Sequence, residues 1–67
     1  MNFSPNHLIK ILEINGFLYK RSKGSHQIFF NPTTNKTIIV PVHGNKDIPK
    51  VTFFAILEQA GISKDQI

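Results

Sequence analysis

The sequence predicts an α+β domain in the order α-β-β-β-α, with two helices on one face of a three-stranded antiparallel sheet. Apolar residues recur at helical spacing near both ends, at Leu8, Ile11 and Leu12 and again at Phe53, Ile56, Leu57 and Ala60. The middle is rich in aromatic and β-branched residues, interrupted by turn chemistry at residues 22–25 and 31–35. Each helix has a single apolar stripe, and one sheet face can bury both.

The elements follow in chain order. Ser4-Pro5 reads as an N-cap followed by proline at the first helical position, and Asn15-Gly16 stops the pattern, so the first helix spans Pro5 to Asn15. Phe17 to Arg21 is a short strand. The turn Ser22-Lys23-Gly24-Ser25 leads into a second strand from His26 to Phe30. Asn31 to Asn35 is a loop, and Thr37 to Val40 forms the third strand, ended by Pro41. Pro49 opens the second helix, with Asp47 or Ile48 as its cap and Gly61 as its stop. The tail from Ser63 to Ile67 is expected to fray. The expected core is Leu8, Ile11, Leu12, Phe17, Phe29, Ile38, Val40, Phe53, Ile56 and Leu57.

With 67 residues and no cysteine, the chain is one domain over residues 1–67, without disulfides or thiolate metal sites. Eight Lys and Arg against four Asp and Glu leave a net charge of +4. Such an excess suits a polyanionic partner, nucleic acid being the commonest; a basic domain with no polyanion to bind is the alternative. No apolar run approaches the roughly 20 residues that span a bilayer. Residues Met1 to His7 have no signal-peptide pattern, so a cytoplasmic location and no membrane contact are expected.

Several chemistries are disfavoured. No glycine-rich phosphate loop is followed by lysine and Ser/Thr, and Glu13, Asp47, Glu58 and Asp65 are too scattered for a two-metal nuclease. His7, His26 and His43 lack zinc-site spacing, so neither metal nor cofactor is expected. His7, beside Asn6 in the first helical turn, reads as solvated.

His26 is the better catalytic candidate. A strand-start position fixes its backbone, and Gly24-Ser25 lets a substrate approach. An imidazole titrates at about pH 6.5 and moves protons near neutrality. Taken alone, these residues favour a surface histidine that ends a turn. Lys20, Arg21 and Lys23 flank the hairpin turn beside His26, while Lys46 and Lys50 flank the start of the second helix, where a phosphate finds free amides. Ordinary solvated charge is the competing reading. Phe30 and Phe54 fall off the buried pattern set by Phe29 and Phe53. One of each pair is expected to be exposed, to stack bases or anchor a partner, unless the core is wider than drawn.

At this point the residues resemble a known family. Gly16-Phe17, the segment Arg21-Ser22-Lys23-Gly24-Ser25-His26, then Val40-Pro41-Val42-His43, Lys46-Asp47-Ile48 and finally Ile56 to Ile62 look, in order and spacing, like HicA toxins. The resemblance runs from about Ser4 to Ile62. It implies a fold like double-stranded-RNA-binding domains, ribosome-independent endoribonuclease cleavage of mRNA, and neutralisation by a cognate HicB-type antitoxin. The family's catalytic histidine falls on His26 and its preceding glycine on Gly24, with Ser25 and His43 as auxiliary candidates. The expected RNA contacts are Lys20, Arg21, Lys23, Lys46 and Lys50. Phe30 and Phe54 depart from a more polar family pattern, which implies either a more apolar antitoxin surface or altered activity. A non-catalytic RNA-binding module of the same fold competes with the enzyme, as does a domain that only binds its protein partner. The Gly24-Ser25-His26 element favours the enzyme, since pure binding does not need it.

Overall fold

The computed structural model describes residues 1–66. The element order is α1 (Pro5–Ile14), β1 (Leu18–Lys23), β2 (His26–Asn31), β3 (Lys36–Pro41), α2 (Lys50–Ala60) and a 3-10 turn over Lys64–Gln66. The strands form one antiparallel sheet in the order β1-β2-β3, so the α-β-β-β-α expectation holds. Residues from both helices share one buried cluster with Phe29, Ile38 and Val40, which places both on the same sheet face.

The two helices end by the same physics, though only the first has a side-chain cap at its start. Ser4 caps α1, its Oγ accepting the His7 N–H at 3.2 Å. At the C-terminus of α1 the Gly16 N–H donates to Glu13 O and the Phe17 N–H to Leu12 O, with Gly16 at φ 92°. At the end of α2, the Gly61 N–H donates to Glu58 O and the Ile62 N–H to Leu57 O, with Gly61 at φ 75°. This is the Schellman arrangement in both cases, and it turns the residue after each glycine back onto its helix. Phe17 and Ile62 are buried as a result.

Every residue of the expected core is buried, and Ile48, Ala60 and Ile62 join it. Ile48 and Phe53 occupy the positions before and four after the cap of α2, the spacing of a hydrophobic staple. The Ile48 N–H also donates to Phe3 O at 2.8 Å, tying the lead-in of α2 to that of α1.

Some boundaries differ from expectation. Helix α2 starts at Lys50, not Pro49. Pro49 is extended (φ −52°, ψ 139°) and is itself the cap, so neither Asp47 nor Ile48 serves, and no side chain bonds the first amides. Strand β1 runs on to Lys23, leaving a two-residue turn at Gly24-Ser25. Gly24 has φ 60°, while Asn35 is the only non-glycine with positive φ among the described residues, so the turn is of the II′ kind that takes glycine first. In the tail, residues 64–66 form a 3-10 turn where fraying is expected, and Lys64 Nζ lies 5.0 Å from the Phe54 ring centroid. Residue 67 lies outside the described residues.

Asn31 is the one buried polar residue described. Its Nδ2 donates to Asn15 O at 3.2 Å, and its Oδ1 accepts the Thr33 and Thr34 amides at 2.9 and 3.4 Å. One side chain thereby ties the end of α1 to the β2–β3 turn, and these bonds spare the buried Asn31 amide itself the about 1–3 kcal/mol cost of going unpaired.

Candidate functional site: a basic end and an open sheet face

The pleat sorts the sheet into two faces. Phe29, Ile38 and Val40 face the helices, so His26, Ile28 and Phe30 of β2 face the other way, with Thr37, Ile39 and Pro41 of β3 beside them. On β1 the register pairs Leu18 with Phe30, Arg21 with Ile28 and Lys23 with His26. Lys20 is the extra residue of a bulge between Tyr19 and Arg21. Its ammonium returns to the open face and lies 5.0 Å from the Phe30 ring centroid.

His26 and Lys23 are thus direct cross-strand neighbours on an uncovered face, a relation that sets side chains about 5 Å apart at Cβ. Arg21 is the diagonal neighbour. His26 is exposed, and its side chain takes part in no hydrogen bond among the described residues. Gly24 faces open space, with nothing within 4 Å of where a Cβ would stand.

Chain topology brings the other candidates to this end. The Val42 N–H donates to Ser25 O at 2.7 Å, so His43 leaves the sheet next to the Gly24-Ser25 turn. His43 and Lys46 line a cleft of about 260 Å³ with Asp47, Ile48 and Thr52. Lys50 is the first residue of α2 but borders a different concavity, along that helix's outer side with Val51 and Phe54.

Both helices point their N-termini toward this end. Asn15, closing α1, is bonded to Asn31 at the far end of β2, and Gly61, closing α2, lies against Lys36 at the start of β3. The positive ends of both macrodipoles thus lie at the same end of the sheet as His26, on its covered side. Glu13 and Glu58 sit late in their helices, away from it, and residues 14–46 contain no carboxylate. Among the described residues no three of His, Asp and Glu gather closely enough to hold a metal ion.

The aromatics divide differently from expectation. Phe30 and Phe54 are both half-buried, not exposed. Phe54 packs edge-to-face on Phe3 and Phe53, at 5.9 and 5.7 Å between centroids, so it belongs to the rim of the chain's own core. The exposed large apolar groups of the sheet are instead Leu18, Tyr19 and Ile39, at 61%, 54% and 53%. For Ile39 the signal in the sequence is the apolar run Ile38-Ile39-Val40 of β3, which reads as a strand covered on both faces; Leu18 and Tyr19 stand in the otherwise polar β1 and have no such signal. His7, half-buried, stacks over Phe53 at 6.3 Å. Among the described residues no helix is long and apolar enough to cross a membrane.

A small basic α-β-β-β-α domain with an exposed histidine set among cations is the kind of protein these features define. The family model described as HicA toxin of bacterial toxin–antitoxin matches residues 6–62, and the chain belongs to that family. It is accordingly a toxin of a toxin–antitoxin system, and the family implies a cognate antitoxin as its partner. Comparison with curated proteins returns no match.

Proposed function

We propose that this toxin is an endoribonuclease that cleaves mRNA without the ribosome and uses His26 as its catalytic base. The observation that carries the proposal is the cross-strand pair of His26 and Lys23 on an open face. A base and a cation side by side suit a phosphodiester whose 2′-OH must lose a proton while its phosphate gains charge.

In the proposed reaction His26 takes the proton of the ribose 2′-OH. O2′ bonds to the adjacent phosphorus, and the bond from phosphorus to O5′ breaks. The departing O5′ takes up a proton from His43 or from water. Lys23 stabilises the phosphate oxygens during the transfer. Lys20, Arg21, Lys46 and Lys50, with the uncapped amides of α2, hold neighbouring phosphates, and the Gly24-Ser25 turn keeps the approach clear. RNA strands are drawn to the end of the sheet where these cations and the positive ends of both helices lie.

Cleavage by this route needs no metal or cofactor, because base, cation and amide donors all come from the chain. Purified toxin incubated with single-stranded RNA in excess EDTA is expected to cleave at its EDTA-free rate, read as the decay of full-length RNA on a gel. Activity lost in EDTA and restored by Mg²⁺ would overturn the histidine mechanism. RNA retained on the protein but never cut would favour the non-catalytic binding module instead.

A further inference from the structure

The cleft next to His26 carries two polar side chains that the proposed reaction does not use. It opens between the end of β3 and the start of α2, and it begins at Pro41, the direct cross-strand partner of His26. The Lys46 N–H donates to His43 O at 3.2 Å, and Gly44 between them has φ 61°, so a tight turn sets both residues against the cleft. Pro41, Ile48 and Pro49 supply apolar walls. At about 260 Å³ the cleft is smaller than a drug-sized site, and a single flat base suits its size.

Asp47 and Thr52 are the two unused groups. Both line the cleft, Asp47 exposed and Thr52 half-buried. Neither side chain takes part in a hydrogen bond among the described residues. Asp47 is also the only carboxylate between Glu13 and Glu58. On a surface that holds phosphates a carboxylate is out of place, because it repels them. Against a base it is well placed, because ionised Asp only accepts hydrogen bonds and a base edge offers N–H donors.

We propose that this cleft is a guanine-selective subsite, holding the base of a nucleotide next to the scissile phosphate. The inference rests on RNA being the substrate and adds a base preference to that reading. Guanine presents its N1–H and its 2-amino group side by side, and the two oxygens of Asp47 accept one each, a charge-assisted pair. The Thr52 hydroxyl donates to O6 on the same edge. Adenine and cytosine set a ring-nitrogen acceptor beside their single amino group, and uracil sets its one N–H between two carbonyls. All three therefore turn an acceptor toward the carboxylate. A phosphate is the rival occupant, drawn by Lys46, but it would meet the Asp47 charge and the apolar walls.

The test measures affinity by fluorescence anisotropy, using 2′-O-methyl strands of uridine with one central guanine, hypoxanthine, adenine, cytosine or uracil. A strand without a free 2′-OH is not cut, so the readout is independent of the chemistry at His26. Purified antitoxin-free toxin is expected to bind the guanine strand about tenfold more tightly than the adenine, cytosine or uracil strand, the discrimination of one good bidentate pair. Hypoxanthine, which lacks the 2-amino group, falls between. In Asp47→Ala all five strands are expected to bind alike, with folding checked by circular dichroism. Thr52→Val is expected to narrow the guanine advantage without removing it. Equal wild-type affinity for all five strands overturns the proposal, as does a guanine preference that folded Asp47→Ala retains. Asp47→Ala that tightens every strand equally overturns it too, since the carboxylate then only repels phosphate. A toxin that prefers the guanine strand yet leaves all-ribose RNA whole keeps the subsite and loses the proposed chemistry. One that cuts RNA without base preference loses the subsite alone.

Discussion

His26→Ala is expected to fold as wild type and to lose growth arrest when expressed without antitoxin. The side chain is exposed, bonds to no other described residue, and starts a strand whose ladder alanine keeps. Its removal therefore costs no more than about 0.5 kcal/mol of stability, the usual range for a surface change. The loss of rate is far larger. A positioned general base contributes about 10²- to 10⁴-fold, and no other histidine holds the position across from Lys23. Growth curves of induced cultures, with circular dichroism of the purified variant, check both halves. A folded His26→Ala toxin that still arrests growth would remove His26 from the mechanism.

Phe53→Ala is expected to abolish the folded state near 37 °C. Phe53 is fully buried, packs edge-to-face on Phe3 at 5.2 Å and on Phe54 at 5.7 Å, and lies beneath His7. Emptying such a site costs about 3–5 kcal/mol. A domain of this size holds only about 3–10 kcal/mol in total, at the usual stability per residue. Where a folded fraction survives, its Tm should fall by about 15 °C or more. The variant separates the two kinds of loss, since it fails through unfolding whereas His26→Ala fails while folded. A cooperative melt within about 5 °C of wild type would contradict the packing described.

The fold was legible in the sequence where local chemistry acts alone. Ser4-Pro5 starts α1, Gly16 and Gly61 stop the helices, and the apolar stripes assign the core correctly. What escaped depends on geometry between elements. Ile62 follows a stop glycine and lies beyond the apolar stripe of the helix, yet the Schellman bonds return it to the core. Ile48 sits in a polar loop, and only its staple spacing to Phe53 marks it. The bulge at Lys20 has no glycine to announce it. Pro49 reads as a first helical residue, but the chain enters α2 extended through it.

Of the site, the residue types and the His26 turn were legible, and their arrangement was not. Lys23 looked like part of a turn, and only the tighter II′ geometry sets it opposite His26. His43 and Lys46 lie far along the chain from His26, and the β3 ladder with the Val42–Ser25 bond brings them to its end of the sheet. The pairing of both helix N-termini at that end is likewise a property of topology. Part of the apolar open face was present in the sequence as the runs Ile28-Phe29-Phe30 and Ile38-Ile39-Val40, but Leu18 stands in a mostly polar strand and only the sheet register places it beside Phe30.

The central claim is that this toxin breaks RNA through its own 2′-OH at the His26 end of the sheet. The most direct measurement compares a single-stranded all-ribose oligonucleotide with the same strand carrying 2′-O-methyl groups throughout, both incubated with purified antitoxin-free toxin in EDTA. The all-ribose strand is expected to be cut and to end in a 2′,3′-cyclic phosphate, while the 2′-O-methyl strand stays whole. Cleavage of both strands alike, or of neither, would contradict the account.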